Sequence, residues 1–451
     1  MITKIVVENF KSFEKRTELN MISSSKIRLN PDHCISTNGP RLLKHAAIYG
    51  ANAAGKSNLI EAISFFKYTV INGLPLFCTN LFCKNDEENS KKESLFEIQF
   101  ELYNKFYAYG FSAKLYEKSI TAEWLYELKI SGASNCIFER DKDNNAKIGN
   151  GIKLTKEERI RFDTYASDFS GNSSELFLRE LGKGKKYSPD SEMLVFEKIY
   201  NMIKDKIVVI TPNSKLVNFQ QYYNEESLKN INELIKTFDT GISNIKIEEI
   251  DADDLKKMIP EPILNNLLKE LDNNKQSNNT PVLLSGRTDR SFFNIELRPD
   301  GDPIITTIKL KHGSSILDFD FEEESDGTRR LFDLVDILLK KTDDSIYFVD
   351  ELERSLHPKL TEHFLELFGL HHKEHNVQLI FTTHESSIMD QKLFRRDEIW
   401  FIERDAKNNS IVYPLDKFKE RYDKKLSKAY LEGRYGAIPI FKTFNFIQEN
   451  G

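Results

Sequence analysis

The stretch GANAAGKS, residues 50–57, has the residue types and spacing of a phosphate-binding loop. It matches GxxxxGK[ST] in full, and its glycines allow backbone N–H groups to face phosphate oxygens. The helix predicted to follow would add the partial positive charge of its N-terminus. In this interpretation Lys56 reaches the β and γ phosphates, and Ser57 holds Mg²⁺. The alternative is a chance turn rich in glycine and alanine, which the flanking strand and helix patterns disfavour.

Two carboxylates end the apolar stretch SIYFVDE, residues 345–351. A carboxylate at a strand tip suits a water-mediated hold on Mg²⁺, which is the role expected for Asp350. Glu351 can polarise the attacking water as a general base. The alternative is a strand that runs into a solvated acidic turn. Paired with a phosphate-binding loop, the two carboxylates favour the catalytic interpretation.

A second apolar stretch, IFTTHE, ends in Thr383 and His384. A histidine in this position can form hydrogen bonds with γ-phosphate oxygens and with water. The alternative is an ordinary histidine at a strand end, which the spacing alone would favour. Because this stretch follows the acidic one in order, we expect His384 to belong to the same site.

The acidic stretch EEESDGTRRLFDL, residues 322–334, runs into an amphipathic helical pattern. A serine hydroxyl and backbone N–H groups at a helix N-terminus can bind a phosphate. Ser325 or Asp326 can also simply cap the helix, and both roles are compatible. A carboxylate near a triphosphate is repulsive unless it points away or is screened by Arg329 or Arg330. The orientation of Asp326 therefore stays open at this stage.

The elements that must position these residues form two α/β stretches. HAAIYG reads as a strand directly before the loop, and NLIEAISFFKYTV as the helix after it. Near the other motifs, the strands SIYFVDE and VQLIFTTH alternate with the helices TRRLFDLVDILLKK and KLTEHFLELFGLHH. Short buried strands that alternate with helices predict a parallel sheet covered on both faces.

A long middle segment separates the two α/β stretches. LFEIQFEL, FYAYGFSAKL and TAEWLYEL alternate apolar and polar residues and predict an antiparallel meander with one wet face. Helical periodicity then dominates to about residue 271, and the Asn-rich stretch LDNNKQSNNTP reads as a linker. The sequence therefore predicts an α/β nucleotide-binding head that is split by an inserted β-meander and helical domain.

Composition limits the classes of protein that remain. The chain has 451 residues, 39% hydrophobic and 30% charged, with a net charge of −6 and a pI near 6.0. Proteins that coat nucleic acid are usually basic, so this composition disfavours that class. Any contact with nucleic acid must come from a local basic patch. No signal-peptide pattern or membrane-length apolar run is present, and the four cysteines show no CxxC pair. We expect a cytoplasmic protein with no membrane association.

The histidines of LHHKEH, His371, His372 and His375, offer a weaker signal. His371 and His375 share a helix face by their spacing of four residues. They predict either a metal site or, more in keeping with a helix end, cations near its C-terminus.

The order of the motifs resembles that of the ABC-type ATPases over Met1–Ile71 and Phe321–Arg404. VVENFKSFEKRTELN, GKSNLIEAI and DELERSLHP resemble the RecF/SMC branch, the last including Ser355, His357 and Pro358 of its D-loop. The chain is most similar to standalone bacterial AAA-family ATPases that resemble the ATPase halves of OLD nucleases. Such ATPases occur in phage-defence systems such as Septu, PARIS and RloB-associated abortive infection. YLEGRYGAIPIF also resembles that group, although no chemistry is assigned to it.

The resemblance implies a mixed-sheet ABC-type head with covering helices, and ATP hydrolysis with Mg²⁺ as cofactor. The implied divisions are 1–94 (phosphate loop), 95–135 (meander), 136–290 (mainly helical insertion), 291–415 (second part of the head) and 416–451 (helix and tail). The implied ATP-binding residues are Gly50, Ala51, Asn52, Ala53, Ala54, Gly55, Lys56, Ser57 and Asn58. The implied catalytic residues are Lys56, Glu351 and His384, the Mg²⁺ ligands are Ser57 and Asp350, and the trans-acting signature is Ser325, Asp326, Gly327 and Thr328.

The resemblance also implies partners. Two heads would sandwich ATP, which makes a homodimer or higher homo-oligomer, and a separately encoded nuclease or toxin would be the effector in anti-phage defence. The alternative is a RecF-like DNA-repair ATPase, with nucleic acid as its partner. A transporter ATPase subunit and a nucleotide-dependent scaffold also stay open, although the long middle segment argues against a transporter.

Overall fold

The computed structural model describes residues 1–143, 145–212, 220–258, 282–287, 292–297, 303–339, 343–418 and 425–439. The linker predicted at 271–281 lies outside these residues. The strands of the described part are β1 (Ile2–Glu8), β2 (Thr17–Asn20), β3 (Cys34–Ile35), β4 (Leu42–Leu43), β5 (His45–Tyr49), β6 (Ser94–Leu102), β7 (Lys105–Lys114), β8 (Ser119–Leu128), β9 (Ser134–Arg140), β10 (Ala146–Ile148), β11 (Ile207–Ile210), β12 (Ile242–Ile250), β13 (Val282–Arg287), β14 (Phe292–Leu297), β15 (Ile304–His312), β16 (Ser345–Val349), β17 (Val377–Thr383), β18 (Ile399–Arg404) and β19 (Ser410–Pro414).

The α-helices of the same residues are α1 (Lys56–Asn72), α2 (Lys156–Asp168), α3 (Phe177–Gly182), α4 (Leu194–Asn201), α5 (Glu225–Lys236), α6 (Ala252–Met258), α7 (Asp326–Leu339), α8 (Pro358–His371) and α9 (Leu426–Leu431). A search of these helices for a segment able to cross a membrane finds none of sufficient length and apolar character. The chain divides into two compact units, each described here by itself. The first comprises Met1–Thr211, Thr342–Leu352 and His372–Gly451, and the second comprises Pro212–Lys341 and Glu353–His371.

The first unit contains a mixed six-stranded sheet in the order β11-β16-β17-β5-β18-β19. All neighbours pair in parallel except β18 and β19, which are antiparallel. The strands β5, β16 and β17 are buried at every residue, as expected for a parallel sheet covered on both faces. The predicted mixed α/β class is confirmed. Because the strands are parallel, the carboxyl ends of β5, β16 and β17 lie at one edge.

A second sheet of the first unit has seven antiparallel strands in the order β10-β9-β8-β7-β6-β1-β2. β6 shows the predicted alternation of buried and half-buried residues, whereas β7 is buried on both faces. One face of β7 packs against helix α1, where the ring of Phe66 stacks on Phe111 at 5.8 Å. On the other face Gly110 lies under the ring of Trp124, which covers the strand. The prediction that one face of the meander is exposed to solvent is therefore wrong for β7 at its centre.

Helix α1 is fixed by this aromatic core. Phe65 contacts Phe10 of the opening segment and Phe96 of β6, with ring centroids 5.4 and 4.9 Å apart. Burying one such side chain stabilises a fold by about 1.5–3 kcal/mol. Since α1 begins directly after the loop at residues 50–55, the packing of its phenylalanines holds the loop against the sheet.

The second unit is built on a four-stranded antiparallel sheet in the order β12-β15-β14-β13. Its core includes aromatic rings in contact: the ring centroid of Phe292 lies 4.6 Å from that of Phe321, edge to face, and 5.3 Å from that of Tyr222. The segment 136–290, predicted as mainly helical, also holds strands, among them β12. There Ile245 and Ile247 pair across the sheet with Leu310 and Ile308. Such cross-strand contacts outweigh a weak helical pattern that is judged from local residues alone.

Candidate functional site

Three chemically active segments meet at one edge of the parallel sheet. The loop at 50–55 follows β5, Asp350 and Glu351 follow β16, and His384 follows β17. The sheet order places β17 between the other two strands. Residues separated by about 300 positions in the sequence are therefore neighbours because parallel strands bring their carboxyl ends to the same side.

The loop adopts a conformation that requires its glycines. Gly55 has φ of 114°, a left-handed value that side chains with a Cβ rarely adopt. A Cβ on Gly55 would overlap the hydroxyl oxygens of Ser12 and Ser410, and a Cβ on Gly50 would overlap the carbonyl of Ile402. The turn is therefore not a chance run of small residues, because its backbone lies directly against neighbouring chain.

Lys56 is buried, and its ammonium group turns back to the loop. Its Nζ donates to the carbonyl oxygens of Gly50 and Ala51 at 2.8 and 3.1 Å. The same Nζ lies 3.2 Å from Nδ1 of His384. The structure therefore brings together Lys56 and His384, which the sequence placed in one site only by the order of motifs.

A chain of hydroxyl groups braces the loop from outside. Asn58 donates through Nδ2 to the hydroxyl of Ser12 at 2.7 Å, and this hydroxyl lies 2.7 Å from that of Ser410. Ser410 in turn donates to the carbonyl of Ala54 at 2.5 Å. Sequence reasoning missed Ser410, because a serine at the start of a distant edge strand carries no motif. Ser12 lay within the quoted opening segment, which gave no role for it.

Thr382 connects the two carboxylate residues. Its hydroxyl donates to Oδ1 of Asp350 at 2.6 Å and accepts from the backbone N–H of Glu351 at 2.8 Å. Thr382 is fully buried, and Asp350 is only 5% exposed. Glu351 has φ of 49°, a left-handed value that is uncommon outside glycine and needs support from its surroundings. The sequence signal was the threonine pair Thr382–Thr383 at the end of a buried strand.

The residues expected to form a signature lie in the second compact unit. The hydroxyl of Ser325 accepts from the backbone N–H of Thr328 at 3.1 Å and so caps α7. Asp326 is 77% exposed and accepts from Arg329 at 2.6 Å. The carboxylate thus points away from the helix axis and is paired with a cation. Of the two conditions under which Asp326 would be tolerated beside a phosphate, screening by an arginine is met.

At Gly327 this stretch lies directly against the backbone of Ser355 in the same unit. A Cβ on Gly327 would lie 2.6 Å from the carbonyl oxygen of Ser355, closer than real contacts allow. Ser355 itself has φ of 61°, and helix α8 begins at Pro358 directly after His357. Glycine is therefore required at position 327 by the close approach of backbone within its own unit.

The carboxyl-terminal stretch with GRYGAIP packs beside the strand that carries the loop. Tyr430 of α9 contacts Tyr49 with ring centroids 5.9 Å apart, and its hydroxyl donates to the carbonyl of Ala437. The backbone N–H of Ala437 donates to Glu403 at 2.9 Å. The stretch thus supports the sheet edge, and its residues up to Pro439 are the part that the structure describes.

The histidines of LHHKEH do not gather into a metal site. His375 lies 3.1 Å from a carboxylate oxygen of Asp343, an ordinary surface pair. Among the residues described, the group of histidine, cysteine and carboxylate side chains close enough to share a metal ion is His33, His45 and Glu398. The histidines near the helix end are thus not part of it.

Comparison with known proteins places these motifs in one family. The family described as "AAA domain, putative AbiEii toxin, Type IV TA system" matches residues 46–179 and 212–390, which is more than half of the chain. The chain belongs to this family. The match includes the phosphate-binding loop, the Asp350–Glu351 pair and His384. The predicted membership of the ABC/AAA-type ATPases is thereby confirmed.

Solved structures similar to the chain include head domains of SMC proteins. An SMC head bound to the C-terminal winged-helix domain of ScpA is 14% identical, with 95% of this chain and 99% of that chain covered and a TM-score of 0.41. The SMC head domain from Thermotoga maritima is 15% identical, with 92% and 98% covered and a TM-score of 0.32. One from Pyrococcus furiosus, bound to the C-terminal domain of ScpA, is 15% identical, with 96% and 99% covered and a TM-score of 0.39. None of the curated proteins compared with the chain matches it.

Proposed function

We propose that this AAA-family protein hydrolyses ATP with Mg²⁺ and, through its ATP-bound state, regulates a separately encoded effector. One observation carries the proposal. Lys56 of the phosphate-binding loop and the Asp350–Glu351 pair held by Thr382 lie at one edge of the same parallel sheet. A phosphate-binding loop beside two carboxylates is the arrangement needed for transfer of a phosphoryl group to water.

The residues present fit both ATP and Mg²⁺. Asn52 and Ala53 at the tip of the loop are exposed, and the buried Gly50 and Gly55 let the rest of the loop pack where a Cβ would not fit. The hydroxyl of Ser57 and the carboxylate of Asp350 are oxygen donors of the kind that Mg²⁺ prefers. When bound, Mg²⁺ would neutralise charge on the phosphates.

The roles of the side chains follow from their present partners. Lys56 donates to two neutral carbonyl oxygens, and charged phosphate oxygens are stronger acceptors for an ammonium group. Its ammonium group therefore exchanges the loop carbonyls for phosphate when ATP enters. His384 lies 3.2 Å from Lys56 Nζ, so its ring is within reach of the same phosphate oxygens. Glu351 orients the attacking water and accepts its proton.

Two copies of the chain would close one ATP site. Ser325 and Asp326 are exposed at the N-terminus of α7, a position where backbone N–H groups bind anions. The pairing of Asp326 with Arg329 removes the main electrostatic objection to a phosphate nearby. These features support a signature that contacts the γ-phosphate of an ATP molecule held by a second copy.

The family description supports a role in defence. It refers to a toxin and to a type IV toxin–antitoxin system, and the chain also resembles ATPases of anti-phage operons. We therefore place the damaging activity in a separate nuclease or toxin and the nucleotide-sensing activity in this chain. Phage should form fewer plaques on a bacterium that carries this gene with its neighbouring genes than on one that carries the same genes with Lys56→Ala.

The nucleotide sandwich is tested with Glu351→Gln. This variant should bind ATP, hydrolyse it slowly and elute as a dimer in size-exclusion chromatography with ATP and Mg²⁺. Adding Ser325→Arg should return it to a monomer, whereas Ser314→Arg, at another exposed serine of the same unit, should not. A Glu351→Gln protein that binds ATP and stays monomeric contradicts the sandwich.

The same samples address a DNA-repair role. Binding to DNA that depends on ATP and weakens steeply with salt would favour the RecF-like alternative. Phosphate release by the unaltered chain that equals that of Lys56→Ala would contradict ATP hydrolysis itself.

A further inference from the structure

A second cluster of chemically active side chains lies at the other end of the parallel sheet from the phosphate-binding loop. His45 is the first residue of β5, whose last residue, Tyr49, precedes the loop. At about 3.3 Å per residue, the two ends of β5 are about 13 Å apart. His33 ends a 3-10 helix at Pro31–His33, and Glu398 ends another directly before β18. Neither the proposed hydrolysis nor the family motifs use these three residues.

The three side chains converge on one point. Nδ1 of His33 and Nδ1 of His45 each lie 3.2 Å from the same carboxylate oxygen, Oε1 of Glu398. All three donor atoms lie within 4.8 Å of one another. In a tetrahedral zinc site with bonds of about 2.0–2.1 Å, neighbouring ligand atoms are about 3.3 Å apart. The two nitrogen–oxygen separations already match this spacing.

The surroundings suit a bound cation. The side chains of Glu398 and His45 are 0% and 3% exposed, and that of His33 is 18% exposed, which leaves one route to solvent. The nearby guanidinium of Arg395 is engaged with both carboxylate oxygens of Asp397, at 3.0 and 2.9 Å. A buried carboxylate such as that of Glu398 needs a compensating positive charge. The guanidinium of Arg395 is already paired with Asp397, so a bound cation would supply that charge.

A backbone contact holds the carboxylate of Glu398 in place. The backbone N–H of Arg395 donates to Oε2 of Glu398 at 2.7 Å and orients the carboxylate.

We propose that His33, His45 and Glu398 bind one divalent transition-metal ion, and that zinc fits this donor set best. Two imidazole nitrogens and one carboxylate oxygen suit zinc better than Mg²⁺ or Ca²⁺, which prefer oxygen ligands. The ion joins three segments that are distant in the sequence at the start of the strand that carries the phosphate-binding loop. Three protein ligands leave a fourth position of a tetrahedral ion to water, and binding is independent of nucleotide.

The test measures zinc retention by the full chain. Protein is stripped with a chelator, incubated with zinc chloride, passed over a desalting column and measured by inductively coupled plasma mass spectrometry. The unaltered chain should retain one zinc ion, and His33→Ala and Glu398→Gln should each retain less than about a tenth of that, since loss of a ligand weakens affinity at least tenfold. Zinc should also raise the unfolding temperature of the unaltered chain but not of His33→Ala.

His375→Ala is the matched control, because His375 is also a partly exposed histidine paired with a carboxylate at 3.1 Å. It should retain zinc as the unaltered chain does. Cobalt(II) in place of zinc should give the visible absorption of a tetrahedral ion, and this band should vanish in His33→Ala. An unaltered chain that retains no zinc, or a His33→Ala protein that folds and retains as much, overturns the proposal. The cluster would then be a hydrogen-bonded network only.

Discussion

Replacing Thr382 with valine removes a hydroxyl group from the junction between the two carboxylate residues of the site. Valine has nearly the same shape, so the packing of β17 stays intact. The change deletes the donor 2.6 Å from Asp350 and the acceptor 2.8 Å from the Glu351 backbone. Because Glu351 sits at a left-handed φ of 49°, its backbone depends on this contact to hold its direction.

The magnitude follows from the charge on Asp350. A hydrogen bond to a charged group contributes about 1.5–3 kcal/mol. If that contribution is expressed in the transition state, each 1.36 kcal/mol or so corresponds to about a tenfold change in rate. We therefore expect Thr382→Val to lower kcat by about 10- to 100-fold and to raise the Mg²⁺ concentration needed for half-maximal activity. KM for ATP should change little, because Lys56 and its loop are untouched.

Phosphate release is measured against Mg²⁺ and against ATP, with thermal unfolding as a check on the fold. Thr382→Ser keeps the hydroxyl and should restore most of the activity. Thr69→Val is the matched control: Thr69 is a fully buried threonine of α1, and within the described residues its hydroxyl has no hydrogen-bond partner. This control should leave kcat and the Mg²⁺ dependence unchanged.

Two results would refute the reasoning. A folded Thr382→Val protein with unaltered kcat and Mg²⁺ dependence would show that Asp350 and Glu351 are positioned by other contacts. Equal losses in Thr382→Val and Thr382→Ser would show that the methyl packing, rather than the hydroxyl, is what the site requires.

Two further predictions concern the second unit. Gly327→Ala should lower stability by about 1–3 kcal/mol, because the new methyl would lie 2.6 Å from the carbonyl of Ser355; Gly369→Ala, with open space around it, should leave the unfolding temperature equal or higher. Arg329→Ala should weaken the ATP-trapped dimer about two- to fivefold in sedimentation experiments, because it leaves the charge of Asp326 unscreened. Adding Asp326→Asn should reverse this loss. A dimer whose affinity is unaffected by both changes would show that this stretch lies away from the phosphate.

The sequence predicts which of these residues lie together because they stand at the ends of parallel strands. The loop, Asp350–Glu351 and His384 each follow an apolar run, and parallel pairing alone brings such ends together. The need for glycine in the loop was also predictable, because a tight phosphate-binding turn requires backbone conformations and close approaches that a side chain with a Cβ does not allow.

Contacts between distant segments were not predictable in this way. Ser410 supports the loop from an edge strand more than 350 positions away, and His33, His45 and Glu398 meet only once the sheet is formed. Strand β12 was missed because its isoleucines are paired across the sheet, which no local pattern records. Tertiary pairing therefore decides what local spacing leaves undetermined.

The two interpretations of Ser325 are compatible, and the geometry shows why. A serine hydroxyl has one donor and two acceptor positions. The acceptor side takes the backbone N–H of Thr328, which caps α7, and the hydroxyl of Thr328 lies 2.9 Å away. If the hydroxyl of Thr328 donates its hydrogen to Ser325, the hydroxyl hydrogen of Ser325 stays available. It can then donate to a phosphate oxygen of an ATP molecule held by a second copy. The cap thus orients the same hydroxyl that the proposed nucleotide sandwich requires, and the pair with Arg329 screens the charge of Asp326.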